Sequence, residues 1–186
     1  IGTYYNLKGE KEKAREAILQ GLSAVGYNES LPVTGVLYSK LGDIYNKLGR
    51  YDEAVEAMRK SIPLLELDNN LVSAGYVANF AGYLFWQKSE FDSALVYYHK
   101  ALVLREELGD KKSIAVTCNN IGIIYYQWSN YEEALKYYLD AVRFTEELNV
   151  SADTSIYLNN IGITSRDWGK YEEALAYFNK ALEKRD

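Results

Sequence analysis

The chain has 186 residues, and its 21 basic and 26 acidic side chains give a formal net charge of −5. This length fits one ordinary domain or a short array of small repeats, and the acidic balance argues against nucleic-acid binding, which needs a basic surface. A single cysteine and a single histidine exclude an internal disulfide and the usual zinc sites, which take several His, Cys or carboxylate ligands.

The sequence carries no signal that would direct it to a membrane. No stretch is long and apolar enough to span a bilayer, so we expect no membrane insertion, and residues 1–22 lack the apolar core of a secretory signal. Because the chain starts at Ile1, we expect it to be processed or excerpted from a longer protein. Its compartment therefore stays open, with the cytoplasm favoured.

Residues of one type recur every forty positions along the whole chain. The glycine column is Gly2, Gly42, Gly82, Gly122 and Gly162. The alanine column is Ala14, Ala54, Ala94, Ala134 and Ala174. A fixed internal period of this kind is typical of repeat architectures, in which each unit packs on its neighbours.

In chain order, the columns define a partial repeat at 1–27 and full repeats at 31–67, 71–108, 112–148 and 152–186. We predict a single array over 1–186 and about two helices per full repeat. The connections between repeats are short, and Gly109 is typical of the residue that ends a helix in a left-handed conformation.

The repeat at 112–148 shows the pattern inside one repeat. Cys118, Gly122 and Tyr125 have the spacing of one helix face, and a second helix is predicted to begin at Tyr131. We expect Gly122 and Ala134 to be buried where the two helices meet, because small residues permit close approach. Cys118 is expected to be a core residue rather than a nucleophile.

The run from Asn119 to Tyr125, followed by the run from Tyr131 to Tyr138 and by Ala141, resembles the tetratricopeptide repeat family. The forty-residue period is similar to that of the long-helix subgroup in kinesin light chains and bacterial signalling proteins. The resemblance implies an all-α fold, a right-handed solenoid of antiparallel helix pairs. It also implies a concave groove lined by the first helix of each repeat, and no cofactor.

By that family's geometry, groove residues lie two before and one after the glycine column, with further ones a turn earlier. The predicted peptide-binding set is Lys40, Asp43, Tyr76, Phe80, Tyr83, Asn120, Ile123, Asn160 and Ile163. Only Lys40 in this set is basic, so we do not expect a clamp for a terminal carboxylate.

Two asparagines in this set are suited to hold a peptide backbone. Asn120 and Asn160 each carry a side-chain amide, which both donates and accepts hydrogen bonds. The alternative is that these amides bond to a neighbouring helix or to water. For the asparagine column one residue earlier, which includes Asn119, we expect hydrogen bonds between repeats.

No catalytic or metal-binding motif occurs in the sequence, so we expect no enzymatic activity. The favoured interpretation is a scaffold module that binds a protein or an extended peptide. It would be the sensory or interaction part of a larger bacterial signalling or regulatory protein. The alternative is a structural module that self-associates and has no peptide ligand.

Both ends of the array are predicted to expose apolar surface. The last predicted helix keeps the full apolar pattern of the repeat, including Leu175 and Leu182, and Ile1–Tyr5 reads as part of a first helix. Because exposed apolar patches tend to find partners, we expect end-to-end self-association through the terminal helices, including Tyr177.

Overall fold

The computed structural model describes residues 10–25 and 32–185. Within these residues the chain forms nine helices and no strand. They are α1 (Lys11–Val25), α2 (Pro32–Lys47), α3 (Tyr51–Leu67), α4 (Leu71–Gln87), α5 (Phe91–Leu108), α6 (Lys111–Gln127), α7 (Tyr131–Glu147), α8 (Ser151–Asp167) and α9 (Tyr171–Glu183). The prediction of an all-α helical repeat is confirmed, whereas the predicted helix at Ile1–Tyr5 lies outside the described residues.

The chain divides into two compact units, Ile1–Leu104 and Arg105–Asp186. The N-terminal unit contains α1 to α4 and most of α5, and the C-terminal unit contains the end of α5 and α6 to α9. We refer to α2, α4, α6 and α8 as the first helices of their repeats. No helix among the described residues is long and apolar enough to cross a membrane.

Left-handed residues mark the turns between helices at intervals of twenty positions. Gly109 has φ +65°, as expected for a residue that follows a helix end. Side chains take this conformation only at a steric cost, which is why glycine is favoured there. The described residues with positive φ are Gly49, Asn69, Ser89, Gly109, Ser129, Asn149 and Gly169.

Polar side chains set where several helices begin. Asn70, Asp110 and Asn130 each accept a hydrogen bond from the backbone N–H three residues later. Each such bond satisfies one of the N–H groups that a helix start leaves without an intrahelical partner. The first turns of α4, α6 and α7 are therefore fixed by the residue that precedes them.

The two helices of a repeat pack antiparallel. In the N-terminal unit, Gly35 of α2 faces Leu65 near the end of α3, and Gly42, later in α2, faces Met58 in the middle of α3. In the C-terminal unit, Gly122 of α6 faces the ring of Tyr138 in α7. The glycine column therefore marks the close contact inside each repeat.

Residues of the predicted alanine and glycine columns lie in the cores of both units. The alanine column is buried at every described position, including Ala134 at 0% exposure, and Gly122 is buried beside it. Cys118 is also in the core, and burial raises the pKa of its thiol to about 12. A thiol in this state is not a nucleophile at neutral pH, which agrees with its assignment to the core.

Candidate functional site

The predicted groove residues all lie on the first helices, and we call the surface that they form within each unit its first-helix face. In the N-terminal unit this face includes Lys40 and Asp43 of α2 and Tyr76, Phe80 and Tyr83 of α4. Lys40 and Tyr76 are exposed, and the other three are half-buried. The structure therefore leaves these side chains accessible to a partner.

Aromatic rings form a continuous stack along α4. The ring centroids of Tyr76 and Phe80 are 6.2 Å apart, those of Phe80 and Tyr83 are 6.0 Å apart, and those of Tyr83 and Trp86 are 5.9 Å apart. Gln87 Nε2 donates a hydrogen bond of 2.7 Å to the Tyr83 hydroxyl oxygen. Offset stacking of this kind fixes the ring orientations, so α4 presents a rigid aromatic stripe.

The charged residues of the predicted groove set, Lys40 and Asp43, lie on the facing helix, α2. Neither Lys40 nor Asp43 forms a salt bridge within the described residues. Burial raises the pKa of the Asp43 carboxyl, and the nearby Lys40 and Lys47 partly offset that effect. Burial, with a smaller contribution from Asp43, also raises the pKa of Tyr76. The two helices therefore place unpaired charge beside apolar surface.

A cleft of about 390 Å³ opens between α2 and α4 in the N-terminal unit. Its floor is Leu65, at the end of α3, which is fully buried. The cleft is lined by Val36, Ser39, Lys40, Leu65, Val72, Ser73 and Tyr76. Sequence reasoning placed Lys40 and Tyr76 on the groove surface but did not find this cleft, because Leu65 comes from a second helix.

In the C-terminal unit the first-helix face carries amides and aliphatic side chains. Asn120 and Ile123 of α6 and Asn160 and Ile163 of α8 are all half-buried. Asn160 Nδ2 donates a hydrogen bond of 2.8 Å to Asn119 Oδ1 and so links α8 to α6. The Asn160 amide thus makes the neighbouring-helix contact that the sequence left as an alternative, and Asn119 makes a bond between repeats.

A second hydrogen bond links the same two helices near their ends. The Tyr126 hydroxyl of α6 donates to Asp167 Oδ2 of α8 over 2.6 Å, and this bond lowers the pKa of Asp167 after the larger effect of Arg166. Together with the Asn119–Asn160 bond, it fixes the relative position of α6 and α8. Hydrogen bonds between side chains therefore stabilise the first-helix face of the C-terminal unit.

One position of the repeat exposes an apolar side chain in all four first helices. The residues there are Val36, Tyr76, Val116 and Ile156, with exposed fractions of 37%, 52%, 36% and 55%. An apolar residue that is exposed at the same position of every first helix is a candidate for contact with a partner, since contiguous exposed apolar surface marks interaction sites. In the sequence, this position lies four residues, about one helical turn, before Lys40, Phe80, Asn120 and Asn160.

The described residues contain no group of three or more His, Cys, Asp or Glu side chains that could hold a metal ion. The buried cysteine has no histidine in its core column, and the chemistry at the first-helix face consists of amides, aromatic rings and isolated charges. These groups can form hydrogen bonds and apolar contacts with a partner.

Family models described as tetratricopeptide repeat match residues 73–147 and 130–186, and another model with the same description matches residues 36–64. Together these matches cover most of the chain. No curated protein sequence matches it.

Solved structures share the fold at low sequence identity. BtubC (BKLC) from P. vanneervenii is 23% identical with a TM-score of 0.86, over 99% of this chain and 76% of that protein. The repeats of a putative kinesin light chain from Podospora anserina are 12% identical with a TM-score of 0.79, over 99% and 91% of the two chains. A signal transduction ATPase from Pyrococcus horikoshii, described as having a tetratricopeptide repeat sensor, is 22% identical with a TM-score of 0.80, over 99% and 28% of the two chains.

Proposed function

Because the chain belongs to the tetratricopeptide repeat family, we propose that it is a non-catalytic module that binds a partner on its first-helix face. The partner is a protein or an extended peptide. The module is the sensory or interaction part of a larger signalling or regulatory protein, and the bacterial context rests on the sequence resemblance alone.

The observation that carries this proposal is the exposed apolar position shared by the four first helices. Tyr76 and Ile156 each leave more than half of their surface in contact with solvent. The neighbouring positions on the same helices, such as Val77 and Tyr157, are buried in the repeat core. Packing inside the repeat therefore does not account for the apolar residues, whereas contact with a partner does.

The polar groups on the same face support a peptide as the partner. Backbone amides of an extended peptide need both donors and acceptors, which asparagine side chains provide. Asn120 and Asn160 lie on adjacent first helices of the C-terminal unit, and the Asn119–Asn160 bond orients one of them. The sensor role described for the Pyrococcus horikoshii protein is consistent with a signalling context.

Peptide selection followed by titration tests the proposal. A random peptide library displayed on phage is selected on the protein, and the affinity of a selected peptide is measured for wild-type and variant proteins. Ile156→Glu and Tyr76→Glu should each weaken binding. Val96→Glu and Val103→Glu on α5, a second helix, change residues of comparable exposure, 65% and 59%, and should leave binding unchanged. Binding that responds only to the α5 variants would place the partner elsewhere.

A second candidate function, self-association, is favoured by one surface of α9. Leu175 and Leu182 are 63% and 62% exposed, whereas Leu135 and Val142, at the equivalent positions of α7, are 8% and 7% exposed. In α7 this face packs under α8, and among the described residues no helix covers the equivalent face of α9. A second copy of the chain is the partner that this alternative requires.

A further inference from the structure

The two units differ in the side chains that face each other between neighbouring first helices. In the C-terminal unit, Asn160 donates to Asn119 and so links α8 to α6. The equivalent residues of the N-terminal unit are Phe80 and Ser39. Serine is too short to bridge the helices, and phenylalanine has no donor. These two residues therefore do not link α2 to α4 by such a bond, and the cleft between the two helices has a volume of about 390 Å³.

The interior of the cleft is suited to an aliphatic side chain. Leu65 forms the floor, and Val36 and Val72 form aliphatic walls. Tyr76 completes the wall on α4, with its ring already stacked on Phe80. Val72 is 67% exposed without a partner, so a ligand that covered it would remove apolar surface from water.

The rim of the cleft provides one positive charge. Lys40 lines the cleft and forms no salt bridge within the described residues. Asp43 lies one helical turn further along α2, is half-buried and forms no salt bridge with another described residue. A carboxylate is attracted to the Lys40 end of the cleft and repelled one turn away, because charges at these separations interact strongly beside a low-dielectric surface.

We propose that this cleft binds an internal, extended peptide segment that places one aliphatic side chain between Val36 and Val72 and an adjacent single carboxylate beside Lys40. The inference rests on the proposed function and adds the chemistry of the partner. Because of Asp43, the segment carries one acidic residue next to its aliphatic anchor and not a run of acidic residues.

A panel of four fluorescein-labelled short peptides in a glycine–serine background tests this specificity. Their central residues are Leu-Glu-Ser, Ala-Glu-Ser, Leu-Lys-Ser and Leu-Glu-Glu, and binding to the whole chain is followed by fluorescence anisotropy. The Leu-Glu-Ser peptide should bind best. Replacing its leucine by alanine should weaken binding about tenfold, since a buried aliphatic side chain contributes strongly to affinity.

Protein variants then assign the effect to the cleft. Lys40→Glu should reverse the preference, so that the Leu-Lys-Ser peptide binds better than Leu-Glu-Ser. Lys60→Glu on α3 makes the same charge change at another exposed lysine of the same unit and should keep the original order. Val72→Asp, at an exposed wall position, should remove the advantage of leucine over alanine. Circular dichroism of each variant checks that the fold is kept.

The inference is overturned if no peptide of the panel binds the wild-type chain, or if Lys40→Glu leaves the order unchanged. Its failure is separable from that of the proposed function. If the phage-selected peptide still depends on Tyr76 or Ile156 while the panel fails, the first-helix face binds peptides of another chemistry. If neither the phage-selected peptide nor any peptide of the panel binds at the first-helix face, both proposals are wrong.

Discussion

The ring of Tyr138 lies directly against Gly122. A Cβ atom placed on this glycine would stand 2.6 Å from Tyr138 Cε1 and 2.8 Å from Cδ1. Phe178 has the same relationship to Gly162, at 2.6 Å, and Tyr98 to Gly82, at 2.7 Å. At these three positions of the glycine column, a ring of the second helix occupies the space that a side chain of the first helix would need; at Gly42 the side chain of Met58 does so.

Gly122→Ala should destabilise the protein by about 1–3 kcal/mol, because a methyl group inserted into a packed core forces its neighbours to move. Tyr138 is 2% exposed and has little room to shift. Urea denaturation followed by circular dichroism measures the loss. Gly42→Ala is the matched control, since its neighbour is the flexible side chain of Met58, which adapts more easily than a ring. A loss at Gly42 as large as that at Gly122 would contradict this account.

Periodicity predicted the fold because the same columns recur in every repeat. The all-α helical repeat, the burial of Gly122 and Ala134, and the left-handed Gly109 all follow from spacing and residue type. The partner of each glycine did not follow, since a methionine and three aromatic residues fill the same role. The cleft was also missed, because its lining includes Leu65 of a second helix, which the spacing along the first helices does not show.

Ser129→Gly should stabilise the protein by up to about 1 kcal/mol. Ser129 has φ +57°, a conformation that strains a residue with a Cβ and leaves glycine unstrained. Gly169 occupies the equivalent turn forty residues later with φ +83°, so Gly169→Ser should lower stability by a similar amount. The midpoint of urea denaturation measures the change in stability, provided that the m-value is the same in the variant and the wild type. Changes of the same sign in both variants would show that another interaction controls these turns.

Replacing each of two buried serines of α8 by alanine should change the melting temperature in opposite directions. The Ser165 hydroxyl is buried and has no hydrogen-bond partner among residues 10–25 and 32–185, whereas Ser155 Oγ donates to the Ala181 carbonyl oxygen over 2.8 Å. Removing an unsatisfied hydroxyl relieves a desolvation cost, and removing a bonded one loses about 0.5–1.5 kcal/mol. We therefore expect a higher melting temperature for Ser165→Ala and a lower one for Ser155→Ala. A lower melting temperature in both would mean that Ser165 is satisfied in solution.

The double variant Asn120→Ala/Asn160→Ala should weaken a peptide held in the C-terminal unit by about tenfold, since each neutral hydrogen bond contributes roughly 0.5–1.5 kcal/mol. Isothermal titration with a phage-selected peptide measures the change. Asn119→Ala is the control, because it removes the bond to Asn160 without removing Asn120 or Asn160. If Asn119→Ala alone weakens binding as much as the double variant, the asparagines position α6 and α8 rather than contact the peptide.

Self-association through α9 gives the final prediction. Leu175 and Leu182 lie on the face of α9 whose counterpart in α7 is covered by α8, and they are 63% and 62% exposed. Covering apolar surface of this kind is favourable in water, so light scattering should show reversible self-association as the concentration approaches roughly the millimolar range, where weak contacts populate. Leu175→Glu should shift the protein to monomer, because a carboxylate in the contact would be desolvated.

Val96→Glu on α5, where the original side chain is 65% exposed, makes the same charge change away from α9 and should associate like the wild type. A wild-type chain that stays monomeric over the whole series, or a Leu175→Glu variant that associates equally, would rule out this face as the contact.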